Sequence, residues 1–136
     1  MTRSNIRENV FKLLFRAEFH ENEELNEQFE MCLSEVENAS ESELEYIKSK
    51  FMNIVSHIEE LDEQINAVSK GWKTSRMSKM DLAILRLALY EIKYEEDIPE
   101  KVSINEAIEL AKKYGTDGSY SFVNGILAKF IKKEEN

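Results

Sequence analysis

The sequence has few of the residues that interrupt helices or cross-link a chain. Its 136 residues include one cysteine, one proline and four glycines. The single cysteine, Cys32, excludes a disulfide within the chain and is typical of proteins from a reducing cytoplasm. Because so little glycine and proline is available for turns between strands, the composition predicts an all-α fold.

Long apolar runs are also absent. No run approaches the ~20 residues of a membrane-spanning helix, and the charged N-terminus has no apolar signal core. Hydrophobic residues make up 42% of the chain and charged residues 33%, which is typical of a globular protein. We therefore expect one cytoplasmic domain over residues 1–136, which can bury roughly two-thirds of its unfolded surface.

The residue patterns of common enzymes are missing as well. There is no glycine-rich phosphate-binding loop, and His20 and His57 fall in separate predicted helices without metal-ligand spacing. Cys32 follows the apolar periodicity of its helix, which favours a core thiol over a nucleophile. We interpret the chain as a protein that is not an enzyme and that needs no cofactor or metal.

Charge is unevenly distributed along this acidic chain, whose net charge is −9. Residues 18–63 contain fifteen acidic residues and two lysines. Residues 1–16 contain four basic residues and one acid, and residues 70–93 contain six basic residues and two acids. The protein can therefore present a local positive patch, and local potential steers a ligand more than net charge does.

One stretch predicts a buried helix that the other helices surround. Only Arg86 interrupts the apolar run from Leu82 to Tyr90, and a helix that is apolar nearly all round is a buried one. Ser78 is the expected N-cap, and Asp81 supplies the acid of the first turn. The pattern predicts a central helix from about Lys79 to Tyr94.

The single cation in this apolar run allows two interpretations. Lys79, Arg86 and Lys93 recur every seven residues, which places them in one narrow basic stripe. Arg86 either pairs with a nearby carboxylate, as charges in cores usually do, or belongs to an anion-binding stripe at the rim of the core.

The first helix is predicted from about Asn5 to Phe19, with Asn5 as its N-cap. It has two apolar faces, and one of them is a row of rings at Phe11, Phe15 and Phe19. The helix either lies between two layers of the fold or presents part of this Phe row to a partner.

Five further helices follow the same apolar periodicity. The capping boxes that should start three of them are Ser42 with Glu45, Ser56 with Glu59, and Ser103 with Glu106. Gly71 and Gly115 are expected to end helices, and Trp72 is expected to be a core anchor. Gly125 lies inside the last helix, which favours a close approach of a neighbouring helix backbone.

Cations and aromatic rings are the only chemistry that suggests a binding site. The cations in question are Arg3, Arg7, Arg76, Lys79 and Arg86. Cations bind the phosphates of single-stranded nucleic acid, and aromatic rings stack on its bases. Phe122 begins the apolar stripe of the last helix, so its ring belongs either to the core or, as a first-turn residue, to a partly exposed surface.

Short motifs then appear in one order over roughly the last 60 residues of the chain. They are Arg76, Asp81 to Ala88, Tyr90-Glu91, Pro99, Lys101-Val102, Ile104 to Lys112, Gly115 and Phe122 to Leu127. In this combination the chain resembles the NusB family of transcription antitermination factors. The first half matches that family mainly at Arg7-Glu8 and at Trp72.

The resemblance implies a NusB-like fold of about seven helices in two small helical subdomains, at about 1–75 and 76–136. It also implies a function in antitermination. NusB proteins bind boxA RNA together with NusE, a small-subunit ribosomal protein. The pair then helps to assemble a complex on RNA polymerase with other Nus factors, notably in ribosomal RNA operons.

Site residues can be assigned by similarity to the family. By similarity, Arg7, Arg76, Arg86 and Phe122 are RNA-binding residues, and the cations Arg3 and Lys79, chosen for their charge, complete the predicted RNA-binding set. The positions expected on the NusE side are Phe15 and Asp81.

Two alternatives remain at this point. The chain could be a stand-alone RNA-binding module related to the N-terminal domain of ribosomal RNA cytosine methyltransferases. It could also be a helical interaction module without RNA contact, and the Phe row could then mediate a homodimer.

Overall fold

The structure of the chain is a computed structural model that describes residues 1–19 and 22–131, without the side chains of residues 22–26 and 28. His20 therefore lies outside the described residues. Within the described ranges all regular structure is helical, which confirms the predicted all-α fold. None of these helices combines the length and apolar character that crossing a membrane requires.

The described residues form seven α-helices and two short 3-10 helices, η1 and η2. The number of α-helices is the predicted one. The α-helices are α1 (Arg3–Ala17), α2 (Asn22–Ser34), α3 (Glu41–Ser56), α4 (Ile58–Val68), α5 (Lys79–Tyr94), α6 (Glu100–Tyr114) and α7 (Ser119–Leu127). The 3-10 helices are η1 (Thr74–Arg76) and η2 (Ala128–Phe130).

The chain divides into two compact units, Met1–Ser56 and His57–Asn136, called unit 1 and unit 2 below. This boundary comes earlier than the one near residue 75 that the family resemblance implies. The physical reason is the position of α4, which packs on α5 and on η1 and so belongs with the second half of the chain.

In unit 1, α1 packs against α3 and α2. Buried side chains on α1 and α3 include Val10, Phe11, Ile47 and Phe51. The Phe29 ring stacks on Phe51 with 5.4 Å between centroids. Apolar side chains at helical spacing therefore form this unit, as their periodicity predicted.

The starts of α1, α3 and α4 differ from the predicted ones. The N-cap of α1 is Thr2, whose hydroxyl accepts the Asn5 N–H at 3.0 Å, so the predicted Asn5 cap was wrong. The capping box of α3 is Ser40 with Glu43, two residues before the predicted pair. α4 begins after the expected break, but its N-cap is His57 without a side-chain cap.

Glu43 also pairs with the N-terminal ammonium of Met1, at 2.9 Å. The Ser40 N–H and this ammonium hold the pKa of the Glu43 carboxyl below its ordinary value of 4.5. The acid of the capping box therefore links the start of α3 to the start of the chain.

Unit 2 is arranged around α5, which contacts α4, α6 and α7. The ends of α5 match the prediction, and the Ser78 hydroxyl accepts the Asp81 N–H at 3.0 Å, which confirms the predicted cap. Every residue from Leu82 to Glu91 is buried. The apolar run therefore forms a core helix, as its composition predicted.

The predicted capping box at Ser103 and Glu106 was wrong, because α6 already begins at Glu100. Gly115 follows the last residue of α6, as predicted. A Cβ atom on Gly115 would lie 2.5 Å from the Ser119 side chain, so this turn requires glycine. The expectation for Gly125 was wrong, since a Cβ atom there would meet nothing within 4 Å.

Candidate nucleic-acid interface

A tight turn after α4 places an aromatic ring on the surface of unit 2. Lys70 has φ +28° and Gly71 has φ +88°, so the chain passes through the left-handed region at two successive residues. The Trp72 N–H donates to the Ser69 carbonyl at 3.2 Å, and the Ser69 hydroxyl donates back to the Trp72 carbonyl. The turn thus reverses the chain directly before Trp72, and glycine tolerates the required φ at no steric cost.

Trp72 lies on the surface and not in the core. Its side chain is 57% exposed, so the predicted core anchor was wrong. Its ring meets Phe122 edge to face, with 6.4 Å between centroids and 76° between ring planes. Phe122 is half-buried at the first turn of α7, which agrees with the partly exposed alternative.

Cations flank Trp72 along the chain. The segment from Ser69 to Met80 contains four basic residues and no acid. The four are Lys70, Lys73, Arg76 and Lys79, and all are exposed. We call these four residues together with Trp72 and Phe122 the aromatic-basic surface.

Hydrogen bonds to neighbouring elements fasten the backbone of this segment. The Thr74 N–H donates to the Asn66 side-chain oxygen at 2.8 Å, which connects η1 to α4. The Lys129 ammonium of η2 donates to the Val68 carbonyl at 2.6 Å, which connects η2 to the C-terminal end of α4. The turn that presents Trp72 is therefore held on both sides.

Arg86, the cation within the apolar run of α5, forms a bidentate ion pair with Asp62 of α4. Its Nε donates to Asp62 Oδ1 at 2.9 Å and its Nη2 to Asp62 Oδ2 at 2.7 Å. The Arg86 side chain is 8% exposed and that of Asp62 is 21% exposed. Of the two interpretations of Arg86, pairing with a carboxylate is the one that the structure shows.

The other two cations of the predicted stripe differ from Arg86. Lys79 is exposed at the first residue of α5. Lys93 is exposed near the end of that helix, with its ammonium 5.7 Å from the Phe130 ring centroid. Heptad spacing therefore does not give the three residues a common environment.

Asp81 is half-buried in the first turn of α5. One of its oxygens, Oδ1, is closed to solvent and accepts no hydrogen bond from the residues that the structure describes. A negative charge at this position is favoured by the helix dipole by about 0.3–1 kcal/mol. The helix dipole therefore stabilises the charge of Asp81, while its Oδ1 atom is an unsatisfied acceptor.

The remaining predicted site residues lie in unit 1. Arg3 is exposed near the start of α1, whereas Arg7 is buried, with 6% of its surface exposed. The Phe row becomes more exposed along the helix, because Phe11 is buried, Phe15 is half-buried and Phe19 is 56% exposed. Phe15 and Phe19 meet edge to face at 5.1 Å.

One buried polar pair is not predicted by the sequence. Glu91 on α5 is fully buried and accepts a hydrogen bond from the Ser103 hydroxyl of α6 at 2.8 Å. The spacing from Ser103 to Glu106 predicts a helix cap instead. The only sequence signal for the pair was an acid at the end of an apolar helical run.

The described residues contain no recognisable metal-binding site. Within residues 1–19 and 22–131, no group of three or more His, Cys, Asp or Glu side chains is placed to hold a metal ion. The aromatic-basic surface instead offers cations and rings, which suit phosphates and nucleobases.

Known proteins similar to this chain are antitermination proteins. A protein named transcription antitermination protein NusB from Agathobacter rectalis is 62% identical over 130 residues, which cover 96% of this chain and 99% of that protein. The protein of the same name from Lachnoclostridium phytofermentans is 51% identical over 131 residues, covering 96% of this chain and 99% of the relative.

Solved structures show the same fold. A structure of T. maritima NusB matches with a TM-score of 0.87 and 38% identity, covering 96% of this chain and 90% of that one. A crystal structure of the antitermination factors NusB and NusE in complex with dsRNA matches with a TM-score of 0.81 and 27% identity, covering 94% of each chain.

The relatives are named for transcription antitermination and not for a catalysed reaction, which agrees with the prediction that the chain is not an enzyme. The model of the NusB family matches residues 4–132, which is almost the whole chain. The chain belongs to the NusB family of transcription antitermination proteins.

Proposed function

We propose that this antitermination protein binds boxA RNA together with NusE in the bacterial cytoplasm. The bound pair would help to assemble an antitermination complex with other Nus factors on RNA polymerase, notably in ribosomal RNA operons. The observation that carries the proposal is the aromatic-basic surface of unit 2. A similar protein was crystallised with NusE and dsRNA, which supports the two partners.

The residues of this surface suit two parts of an RNA strand. Arg76 and Lys79 are exposed cations in a segment without acids, and such cations attract phosphates without reading sequence. Phe122 presents a half-exposed ring on which a base can stack. Together they would bind the backbone and one base of a single strand.

Three further cations are part of the proposed RNA site. Arg3 is exposed and can reach a phosphate directly. Arg7 and Arg86 are buried, and Arg86 is already paired with Asp62, so their contribution would depend on the few exposed atoms of each side chain. We rank Arg3, Arg76 and Lys79 above these two as phosphate contacts.

The proposed NusE side involves Phe15 and Asp81. Phe15 is a half-buried ring beside the exposed Phe19, so α1 has apolar area available to a protein partner. Asp81 is half-buried in the first turn of α5, so part of the residue is open to a partner. A homodimer through the Phe row stays a prediction that competes with NusE for the same rings.

RNA titration at several salt concentrations tests the RNA part of the proposal. Affinity of the complex with NusE for a single-stranded boxA oligonucleotide should fall as salt rises, with a log–log slope of roughly 0.7 for each phosphate contacted. Three or four contacts would give a slope of about 2 to 3 by this rule. A response that is flat in salt would remove the phosphate-binding role from Arg3, Arg76 and Lys79.

The Phe122→Ala variant separates a stacking ring from a core ring. Loss of one stacked base should weaken RNA binding by about 1–3 kcal/mol while urea unfolding changes little. Truncation of a buried Phe would instead cost about 3–5 kcal/mol of stability. Large destabilisation with unaltered affinity for RNA would return Phe122 to the core.

The NusE part is tested with Asp81→Lys. The reversed charge should weaken NusE binding and also reduce stability by about 0.3–1 kcal/mol, because the helix dipole then opposes it. Asp81→Asn is the matched control, since it keeps the shape of the side chain while it replaces the charge and one acceptor oxygen with an amide group. Normal binding of NusE by folded Asp81→Lys would exclude Asp81 from that interface.

A further inference from the structure

We propose that Trp72 is a second base-stacking residue, so that Trp72 and Phe122 together hold two bases of a single strand in different planes. This inference rests on the proposed RNA binding and adds a residue and a strand preference to it. The ligand class is an unpaired dinucleotide step whose bases have separated from each other.

The exposure of Trp72 is the first observation. It is the only tryptophan of the chain, and 57% of its surface is open to solvent. Tryptophan is mostly buried in folded proteins, and an aromatic residue that lies open beside cations is typical of a nucleic-acid binding surface. Lys70 and Lys73 lie within two residues of it along the chain and are both exposed.

The second observation is that the backbone carrying the exposed ring is held in place. Two residues with positive φ and the paired hydrogen bonds between Ser69 and Trp72 fix the turn. The bond from Lys129 to Val68 fastens one side of it and the bond from Thr74 to Asn66 the other. A residue whose backbone is held before the ligand arrives loses less conformational freedom on binding.

The third observation is the angle of 76° between the Trp72 and Phe122 ring planes, at 6.4 Å between centroids. A base that stacks on a ring lies parallel to it, so bases on these two rings would be steeply inclined to each other. Neighbouring bases of a duplex are nearly parallel and cannot adopt that arrangement without unstacking. The geometry therefore favours single strands, whose bases can be splayed apart.

Tryptophan fluorescence provides a direct test, because Trp72 is the only tryptophan. A single-stranded boxA oligonucleotide should quench the emission of the protein in complex with NusE. The same titration with Trp72→Ala supplies the background from NusE. Quenching by the single strand that a pre-annealed duplex of the same sequence does not reproduce is the expected result.

Affinity measurements supply the second readout. Trp72→Ala should weaken binding of the single strand by about 5- to 150-fold, which corresponds to 1–3 kcal/mol per stacked base. Trp72→Phe should recover most of this loss, whereas Trp72→Leu should not, because only the former keeps an aromatic face. Tyr120→Ala is the matched control, since Tyr120 is also an exposed ring of α7 but lies outside the aromatic-basic surface, with its ring 5.6 Å from the Lys112 ammonium.

The outcomes distinguish this inference from the proposed function. RNA binding that depends on Phe122 but not on Trp72, without quenching, would overturn the role of Trp72 and leave RNA binding intact. Equal quenching by duplex and single strand would overturn the strand preference. No RNA binding by the wild-type complex would overturn both. If Trp72→Ala fails to fold, the wild-type quenching and the comparison of Trp72→Phe with Trp72→Leu still decide the question.

Discussion

Removing Asp62 should show how much the ion pair of the central helix contributes to stability. Asp62→Ala deletes two hydrogen bonds of 2.9 and 2.7 Å and leaves a guanidinium that is only 8% exposed with fewer acceptors. Breaking a fully buried ion pair costs about 3–5 kcal/mol. Because Asp62 is 21% exposed and water can enter its place, we expect a loss of about 2–3 kcal/mol.

Arg86→Met should cost less, about 1–2 kcal/mol, because methionine fills the apolar site and the more exposed Asp62 can rehydrate. The double variant should then be more stable than the sum of the two losses predicts. The difference between the double variant's loss of stability and the sum of the two single losses is the coupling energy of the pair. Urea unfolding of the wild type, the two single variants and the double variant measures it, and we expect about 1–2 kcal/mol. A coupling energy near zero would refute the idea that the pair stabilises the contact between α4 and α5.

The same variants decide whether Arg86 also binds RNA. If the Arg86 guanidinium binds a phosphate, Arg86→Met should lower the salt slope of RNA binding by roughly 0.7. An Arg86 that acts only through Asp62 should leave the slope unchanged, and Asp62→Ala should then affect RNA binding as Arg86→Met does. The slope is informative because a decrease in stability alone does not alter the number of phosphates that the protein binds.

Four further predictions concern stability. Ser103→Ala should destabilise the protein by about 1–3 kcal/mol in urea unfolding, because the buried Glu91 loses a hydrogen-bond donor, and an unchanged midpoint would contradict that role. Gly115→Ala should cost about 1–3 kcal/mol through overpacking. Gly125→Ala should gain about 0.5–1 kcal/mol by the same measurement, and effects of equal sign would refute the steric argument. The pKa of Glu43 is lowered in the folded state, so the ionised carboxylate stabilises the fold above pH 4.5. This stabilisation is lost as the pH falls through the lowered pKa of the folded state. Glu43→Gln should therefore flatten the pH dependence of the free energy of unfolding in that acidic range.

The helices themselves could be predicted from the sequence. Apolar residues at helical spacing and the scarcity of glycine and proline indicated the all-α fold and the seven α-helices of the part of the chain that the structure describes. The start of α5 was predicted because its cap is a local interaction between Ser78 and a backbone N–H three residues later. Local interactions of this kind depend on neighbours in the chain and are therefore visible in the sequence.

Choices among several possible partners were decided by tertiary structure. The sequence could not select Asp62 among the fifteen acids of residues 18–63 as the partner of Arg86, 24 residues away. Ser103 has the spacing of a helix cap, yet it bonds to Glu91 because the packing of α6 on α5 brings the two together. Pairing at a distance depends on how helices pack, which residue spacing within one helix does not specify.

The candidate site also has features that the sequence predicts and features that only the tertiary structure decides. The basic residues of the segment around Arg76 were identified from composition, since charge is a property of the chain itself. The exposure of Trp72 was not, because an isolated aromatic residue between two helices has no periodicity that assigns it to a face. Only the turn with two positive φ angles, and the position of α7 that places Phe122 against the ring, decided that Trp72 lies on the surface.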